Sequence, residues 1–297
     1  MKKKMLFIYN PKAGKAQIKN KLADILDIFA KADYEITVHP TQRGREATQI
    51  VENMEDIYDL LVCSGGDGTL KEVVSGILRS GRNIPLGYIP AGSTNDFAQS
   101  CSLPKDMLKA AHIAVEGHDF ACDAGRFNKN TFVYVAAFGL FTNVTYETDQ
   151  EMKNFLGHMA YVLQGMKSLA AIPSYNMKIM YEDKVIEDDF MFGMITNAVS
   201  VGGFKGITGK HIRLDDGVFE VTLIKRPKTI KALNDLIWSL MNREFDADDM
   251  YFFRTGSLVC ESKEAVAWTI DGENGGMHFE VEIQNLCKAI RIRVENR

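Results

Sequence analysis

Cysteine is scarce in this chain, and none of it is paired. Cys63, Cys101, Cys122, Cys260 and Cys287 include no CxxC, which removes the signature of a disulfide framework or a zinc ribbon and leaves small buried hydrophobes as the expected role. The six histidines show no HExxH or other ligand spacing; His39, beside Pro40 and Thr41, could approach a ligand but reads better as a packing or surface residue. The net charge of -4 offers no global electrostatic reason to bind nucleic acid. Behind Lys2, Lys3 and Lys4 the apolar run Met5 to Tyr9 is too short for a signal segment or a membrane span, so the expectation is a cytoplasmic protein. Internal repeats and low-complexity linkers are also missing.

What is present is ordinary soluble composition, 46% hydrophobic and 25% charged, in 297 residues, a length that suits two domains. The first part alternates strand and helix signals. Lys4 to Asn10, Tyr34 to His39, Leu60 to Cys63 and Ile84 to Ile89 read as strands. Helical stripes lie between them at Ile18, Leu22, Ile25, Leu26 and Phe29, at Ala47, Ile50, Val51 and Met54, and at Leu70, Val73, Val74, Ile77 and Leu78, with Lys105 to Val115 after them. That order predicts a parallel sheet covered by helices on both faces. From about Asp119 the rhythm turns to β. A hairpin is expected from Phe120–Phe127 and Thr131–Phe138, and a helix carrying Phe155, Met159, Val162, Met166 and Leu169 follows. Further strands are expected at Tyr175–Glu182, Phe190–Thr196, Val218–Lys225, Tyr251–Arg254, Ala265–Ile270, His278–Gln284 and Ala289–Val294, with a helix near Thr229–Met241. The expected fold class is α/β: a parallel-sheet domain over 1-125 and a β-rich sandwich or barrel over 126-297, whose last strand is free to return to the first domain.

Three glycine-bearing loops fall where strands of the first domain feed helices, the edge at which such sheets bind ligands. In Gly65 to Glu72, GGDGTLKE, the glycines allow a sharp turn and close backbone approach, and the following helix start offers unpaired N–H groups to an anion. Asp67 would repel phosphate directly, so it reads as acting through a divalent metal, an ordered water or a hydroxyl. Asn10-Pro11-Lys12-Ala13-Gly14 adds a tight turn and a positive charge, without Walker A or GxGxxG spacing. Pro90 to Phe97, PAGSTNDF, brings Ser93 and Thr94 hydroxyls, with Thr94 or Asn95 as the alternative helix cap.

NPKAG, GGDGTLKE and PAGSTNDFA, in that order and at these spacings, resemble the diacylglycerol kinase catalytic-domain family. Asp123-Ala124-Gly125, Gly202-Gly203, Asp216-Gly217 and Asp271-Gly272-Glu273 extend the likeness over nearly the whole chain. The resemblance implies an NAD-kinase-like three-layer α/β domain facing a β-sandwich domain across an active-site cleft. It also implies ATP and magnesium as cofactors, and phosphoryl transfer to a lipid hydroxyl, most readily diacylglycerol to phosphatidic acid, in phospholipid biosynthesis. By motif, Asn10, Pro11, Lys12, Ala13, Gly14, Thr41, Gly66, Asp67, Gly68, Thr69, Leu70, Lys71, Glu72 and Ser93 would line the nucleotide site. Glu273 would be the general base, with Asp67 and Asp271 the competing carboxylates and Asp271 ranked as a supporting residue. Asp216 and the carbonyls of Arg213 and Val218 would hold a structural magnesium, although Asp-Gly is also a hairpin signal in its own right.

The chain departs from the family pattern at Ser93, where threonine is usual, and at Gln99, where arginine commonly pairs with Asp123. The segment before Asp216 also lacks the family's usual proline-alanine pattern. The implied partners are ATP and a membrane lipid met by peripheral association at the inner membrane face, with no nucleic acid and with a homodimer left open. An NAD kinase, another lipid kinase and a catalytically inactive nucleotide-binding regulator are the alternatives.

Overall fold

The computed structural model describes residues 2–140, 160–161, 163–165, 169–198, 200–201, 204–205, 212–242 and 249–295. The chain divides into two compact units. The first comprises Met1–Ala124, Leu214–Asp216 and Leu286–Arg297; the second comprises Gly125–Arg213 and Gly217–Asn285.

In the first unit β1 (Lys3–Tyr9), α1 (Ile18–Lys31), β2 (Tyr34–Pro40), α2 (Glu46–Asn53), β3 (Leu60–Gly65), α3 (Asp67–Ser80), β4 (Pro85–Pro90), α4 (Asp96–Ser100) and α5 (Met107–Glu116) follow one another. The sheet is parallel, in the order β2-β1-β3-β4. A final strand joins β4 in parallel through Arg291 and Ile292. Every residue of β3 is buried, as a strand covered on both faces requires. On one face Met5, Phe7, Leu60, Val62 and Ile89 meet Ile18, Ile25 and Phe29 of α1 and Ala110, Ala111 and Ala114 of α5. Each large side chain buried there contributes about 1.5–3 kcal/mol. α2 and α3 pack closely because Gly76 has no side chain: a Cβ there would lie 2.6 Å from the Val51 Cβ. β1 leads outward to β2 while β3 leads the other way to β4, so strand order reverses between β1 and β3. That reversal falls at the carboxyl ends of β1 and β3, the position at which sheets of this kind bind ligands.

The second unit is antiparallel β structure. The strand β5 (His118–Phe127) enters it from the first unit and pairs with β6 (Asn130–Phe132). Next come β7 (Val135–Gly139), β8 (Tyr175–Tyr181), β9 (Lys184–Thr196), the short pair β10 (Ser200–Val201) and β11 (Phe204–Lys205), and β12 (Phe219–Lys225). The helix α6 (Ile230–Asn242) precedes β13 (Met250–Thr255), β14 (Ser257–Ile270) and β15 (Glu273–Val294). β13, β12 and β9 are neighbours in that order, and both β7 and β8 lie between β9 and β14. Phe219, Val221 and Leu223 alternate into one core with Phe138, Ile195, Trp268 and Ile283, the two-residue period with which a strand presents one face. The Trp268 ring lies 4.8 Å from Phe138 and 5.2 Å from Phe127, centroid to centroid.

Several β boundaries differ from the sequence expectation. Residues 131–138 are two strands, interrupted at Val133 and Tyr134, whose amides donate to a carboxylate instead of a strand partner. β14 begins at Ser257, and 278–294 belong to one continuous strand whose last part lies in the first unit. Of the helix expected to carry Phe155, Met159, Val162, Met166 and Leu169, the first four of these lie outside the described residues; 160–161 and 163–165 are helical, and Leu169 lies in the 3-10 turn Leu169–Ala171. Among the described residues no helix is long and apolar enough to cross a membrane.

Candidate active site

The three glycine loops of the first unit interlock at the carboxyl edge of its sheet. The Asn10 amide donates to the Ser64 carbonyl at 2.8 Å, and its side-chain nitrogen donates to the Thr69 hydroxyl at 3.4 Å. The Asn10 carboxamide oxygen accepts the Lys12 amide at 2.9 Å, folding Asn10–Gly14 into a turn. Gly14 has φ +51°, and a Cβ there would meet the Ala91 carbonyl oxygen at 2.3 Å. A side chain is therefore excluded twice, by conformation and by space. The Ala91 amide in turn donates to the Gly65 carbonyl at 2.8 Å.

Asn95 sits at the α4 N-cap with φ 52°, but its side chain does not cap the helix. It braces the preceding turn instead, accepting the Gly92 amide at 2.9 Å and donating to the Gly92 carbonyl at 2.7 Å. Tyr88, 1% exposed in the middle of an apolar strand, donates to the Gly65 carbonyl at 3.1 Å and approaches the Asn95 oxygen at 3.3 Å. Sequence reading passed over Tyr88. The available signal was a phenol in a buried strand, which needs a polar partner for its hydroxyl.

Asp67 opens α3. Its Oδ2 accepts the Thr94 hydroxyl at 3.1 Å, while Oδ1 is buried without a protein hydrogen-bond partner. Burial raises its pKa above the usual carboxylate value; the Thr94 hydroxyl and the nearby amides of Asp96, Phe97 and Asn95 oppose that rise without cancelling it. An enclosed oxygen with unused lone pairs is the donor type that a magnesium ion takes, so the residues present fit that cation.

Ser93, Lys12 and Gly14 are exposed, whereas Asn10, Pro11, Thr41, Gly66, Asp67, Gly68, Lys71 and Glu72 are half-buried along this edge. Ala13, Thr69 and Leu70 are buried. Leu70 contributes only backbone here: its side chain is in the core and its amide donates to the Gly66 carbonyl at 3.1 Å. Thr41 is tied to β1 through its amide, 2.8 Å from the Tyr9 carbonyl. The Glu72 carboxylate accepts the Arg45 and Ala47 amides at 2.7 and 3.2 Å, capping α2 from the neighbouring helix. α2 has no side-chain cap of its own, so Glu72 fixes the loop that carries Thr41.

Gln99 donates to the Thr94 carbonyl at 2.9 Å and so stabilises its own loop. The fully buried Asp123 carboxylate accepts the Lys288 amide at 2.7 Å, and the Asp123 amide donates to the Leu214 carbonyl at 2.7 Å. In the segment 213–218, Asp216 falls in the first unit and Arg213 and Val218 in the second. Among the described residues no group of three or more His, Cys, Asp or Glu side chains gathers as a metal cluster.

In the second unit Asp271 and Gly272 form the two-residue turn between β14 and β15, with φ 51° and 76° and Ile270 paired to Glu273. Positive φ at both positions defines a type I′ hairpin, for which Asp-Gly is a preferred sequence. Glu273 stands exposed at the first position of β15.

The sequence pattern of the diacylglycerol kinase catalytic domain matches residues 4–127. The chain is 31% identical over 292 residues to the diacylglycerol kinase of Bacillus subtilis strain 168, spanning 98% of this chain and 96% of that relative. Against the diacylglycerol kinase of Staphylococcus carnosus strain TM300 it is 31% identical over 277 residues, 93% of this chain and 90% of the other. A crystal structure from Bacillus anthracis str. Sterne superposes with a TM-score of 0.81 at 24% identity, covering 99% of this chain and 98% of that one. A diacylglycerol kinase structure from the same strain gives 0.74 at 22%, covering 99% and 97%. These structural likenesses speak to the fold.

Proposed function

Because this chain belongs to the diacylglycerol kinase family and is a lipid kinase enzyme, we propose that it transfers the γ-phosphate of ATP to the free hydroxyl of diacylglycerol, giving phosphatidic acid. The first unit is read as an NAD-kinase-like nucleotide domain and the second as a β-sandwich lipid domain. The observation that carries the reading is the interlocked edge of Asn10–Gly14, Gly65–Thr69 and Ala91–Asn95. Its glycines let the loops pack against one another, since a Cβ at Gly14, Gly66 or Gly92 would press on the neighbouring loop, and the start of α3 at this edge offers backbone amides to phosphate oxygens.

Phosphoryl transfer demands positioning and charge neutralisation more than covalent chemistry from the protein. Asn10, Gly14, Gly66, Gly68 and Ser93 position the donor phosphates, and Lys12 adds positive charge. Asp67 would hold magnesium, which supplies charge neutralisation at the phosphates when bound. The acceptor oxygen attacks the γ-phosphorus as the bond to the β,γ-bridging oxygen breaks. Glu273 takes the hydroxyl proton, and ADP leaves. Asp216, with the Arg213 and Val218 carbonyls, is the proposed structural magnesium site, an all-oxygen donor set suited to that ion. A lipid acceptor places the protein at the inner membrane face as a peripheral, cytoplasmic enzyme.

The test is transfer from γ-labelled ATP to a panel of diacylglycerol, monoacylglycerol, sphingoid bases, phosphatidylglycerol and NAD, comparing wild type with Glu273→Gln and Asp67→Asn. Labelled phosphatidic acid from wild type, and its loss in Glu273→Gln with ATP binding retained, is expected. Equal product from Glu273→Gln removes the base assignment. Product from NAD instead of lipid would overturn the proposed acceptor.

A further inference from the structure

Asp271 does more than its turn requires. A type I′ hairpin needs a residue that tolerates positive φ at each central position, and Asn, Asp or Gly all qualify. The Asp271 carboxylate, 4% exposed, additionally accepts three consecutive backbone amides: Val133 at 2.9 Å on Oδ2, and Tyr134 and Val135 at 3.0 and 3.1 Å on Oδ1. The Asp271 amide returns a bond to the Val135 carbonyl at 2.8 Å. These bonds account for the break between β6 and β7, since amides given to a carboxylate are withdrawn from strand pairing. The hairpin tip is thus fastened to the β6–β7 connection through Asp271, and the residue that leaves this tip is Glu273.

We propose that Asp271 is a positioning residue for the reaction: it locks the 271–272 turn against Val133–Val135 and thereby fixes where Glu273 presents its carboxylate. This rests on the reading of Glu273 as the base. Glu273 is exposed and stands at a hairpin tip, where an unanchored turn would leave the backbone that carries its carboxylate mobile. Charge-assisted bonds to three amides supply rigidity that a neutral turn residue would not. A base displaced by about 1 Å can cost on the order of a hundredfold in rate.

The experiment measures dioctanoylglycerol phosphorylation by MgATP in mixed micelles for wild type, Asp271→Ala, Asp271→Asn, Glu273→Gln and the double variant Asp271→Ala/Glu273→Gln. Thermal melts and the KM for ATP are recorded on each. Asp271→Ala should lower kcat about tenfold or more with the KM for ATP unchanged. Asp271→Asn keeps the positive-φ tolerance and one acceptor oxygen and should fall between it and wild type; it carries the test if the alanine variant fails to fold. In the Glu273→Gln background Asp271→Ala should cost nothing further, because no base is left to position. An equal loss in both backgrounds shows a purely structural role and overturns the proposal, as does unchanged kcat in both Asp271 variants. Wild-type turnover by Glu273→Gln overturns the base assignment itself, a result distinguishable from the other two.

Discussion

Replacing Gly92 by alanine tests whether the close packing of two loops creates the donor site. A Cβ at this position would lie 2.6 Å from the Gly66 Cα and 2.9 Å from the Asn95 Oδ1. Carbon atoms rest about 3.5–4.0 Å apart, so the overlap is roughly 1 Å. Neither neighbour can rotate away: one is backbone, and the other already accepts the Gly92 amide and approaches the Tyr88 hydroxyl. The loops must separate instead. Overpacking of this kind costs about 1–3 kcal/mol, while the lower chain entropy of alanine in the unfolded state returns about 0.4–1 kcal/mol. The net loss is at most about 2.6 kcal/mol, or a melting temperature lower by up to roughly 10 °C. The greater effect should fall on ATP: a separation of about 1 Å in a positioning site corresponds to kcat/KM down by roughly 10–100-fold. Gly44→Ala is the control, since a Cβ there meets nothing within 4 Å and its φ is not positive. Steady-state kinetics against ATP and thermal melts on both variants decide the matter. A Gly92→Ala enzyme with the ATP kinetics of Gly44→Ala would refute the view that loop separation controls nucleotide binding.

Asp67→Asn should change stability as well as activity. The folded carboxyl binds its proton more tightly than the unfolded one, because burial raises its pKa. Stability from this group is therefore greatest below the ordinary carboxylate value and falls as pH rises through the raised one; the variant should lose that slope and be the more stable protein at neutral pH without magnesium, measured by urea unfolding across pH. Tyr88→Phe removes a buried hydroxyl that holds the Gly65 carbonyl, and a loss of about 1 kcal/mol is expected from denaturation, with the KM for ATP raised. Thiol labelling in the folded protein should modify Cys287 alone, since it is exposed while Cys63, Cys101, Cys122 and Cys260 are buried. Burial and the neighbouring Asp123 raise the Cys287 pKa, so labelling should quicken as pH rises; rapid labelling of more than one thiol before unfolding would contradict the packing described.

The regular part of the fold was legible because its physics is local. An unbroken apolar run such as Leu60–Cys63 is what a strand covered on both faces demands, and the stripe of Ile18, Ile25 and Phe29 is what a helix lying on that strand presents. The glycine loops were legible for the same reason, since a strand end, a tight turn and a helix start follow one another along the chain. The interruption of 131–138 could not be read this way: it depends on a carboxylate more than 130 residues away, and alternating apolar residues look alike whether or not their amides pair. The length of β14 was hidden too, because Glu261–Glu264 is polar throughout and separates the short apolar stretch Leu258–Cys260 from the run Ala265–Ile270.

By itself the sequence determined the strand, turn and helix order of the first unit, the three phosphate-suited loops and the Asp-Gly hairpin, all set by residues adjacent in the chain. Tertiary structure decided what the polar side chains among them do. Asn95 braces Gly92 instead of capping its helix, Glu72 caps a helix other than its own, and Asp271 gathers amides from a distant strand break. A buried carboxylate or carboxamide bonds whatever donors the fold brings within about 3 Å, and the one-dimensional spacing of the chain does not specify which those will be.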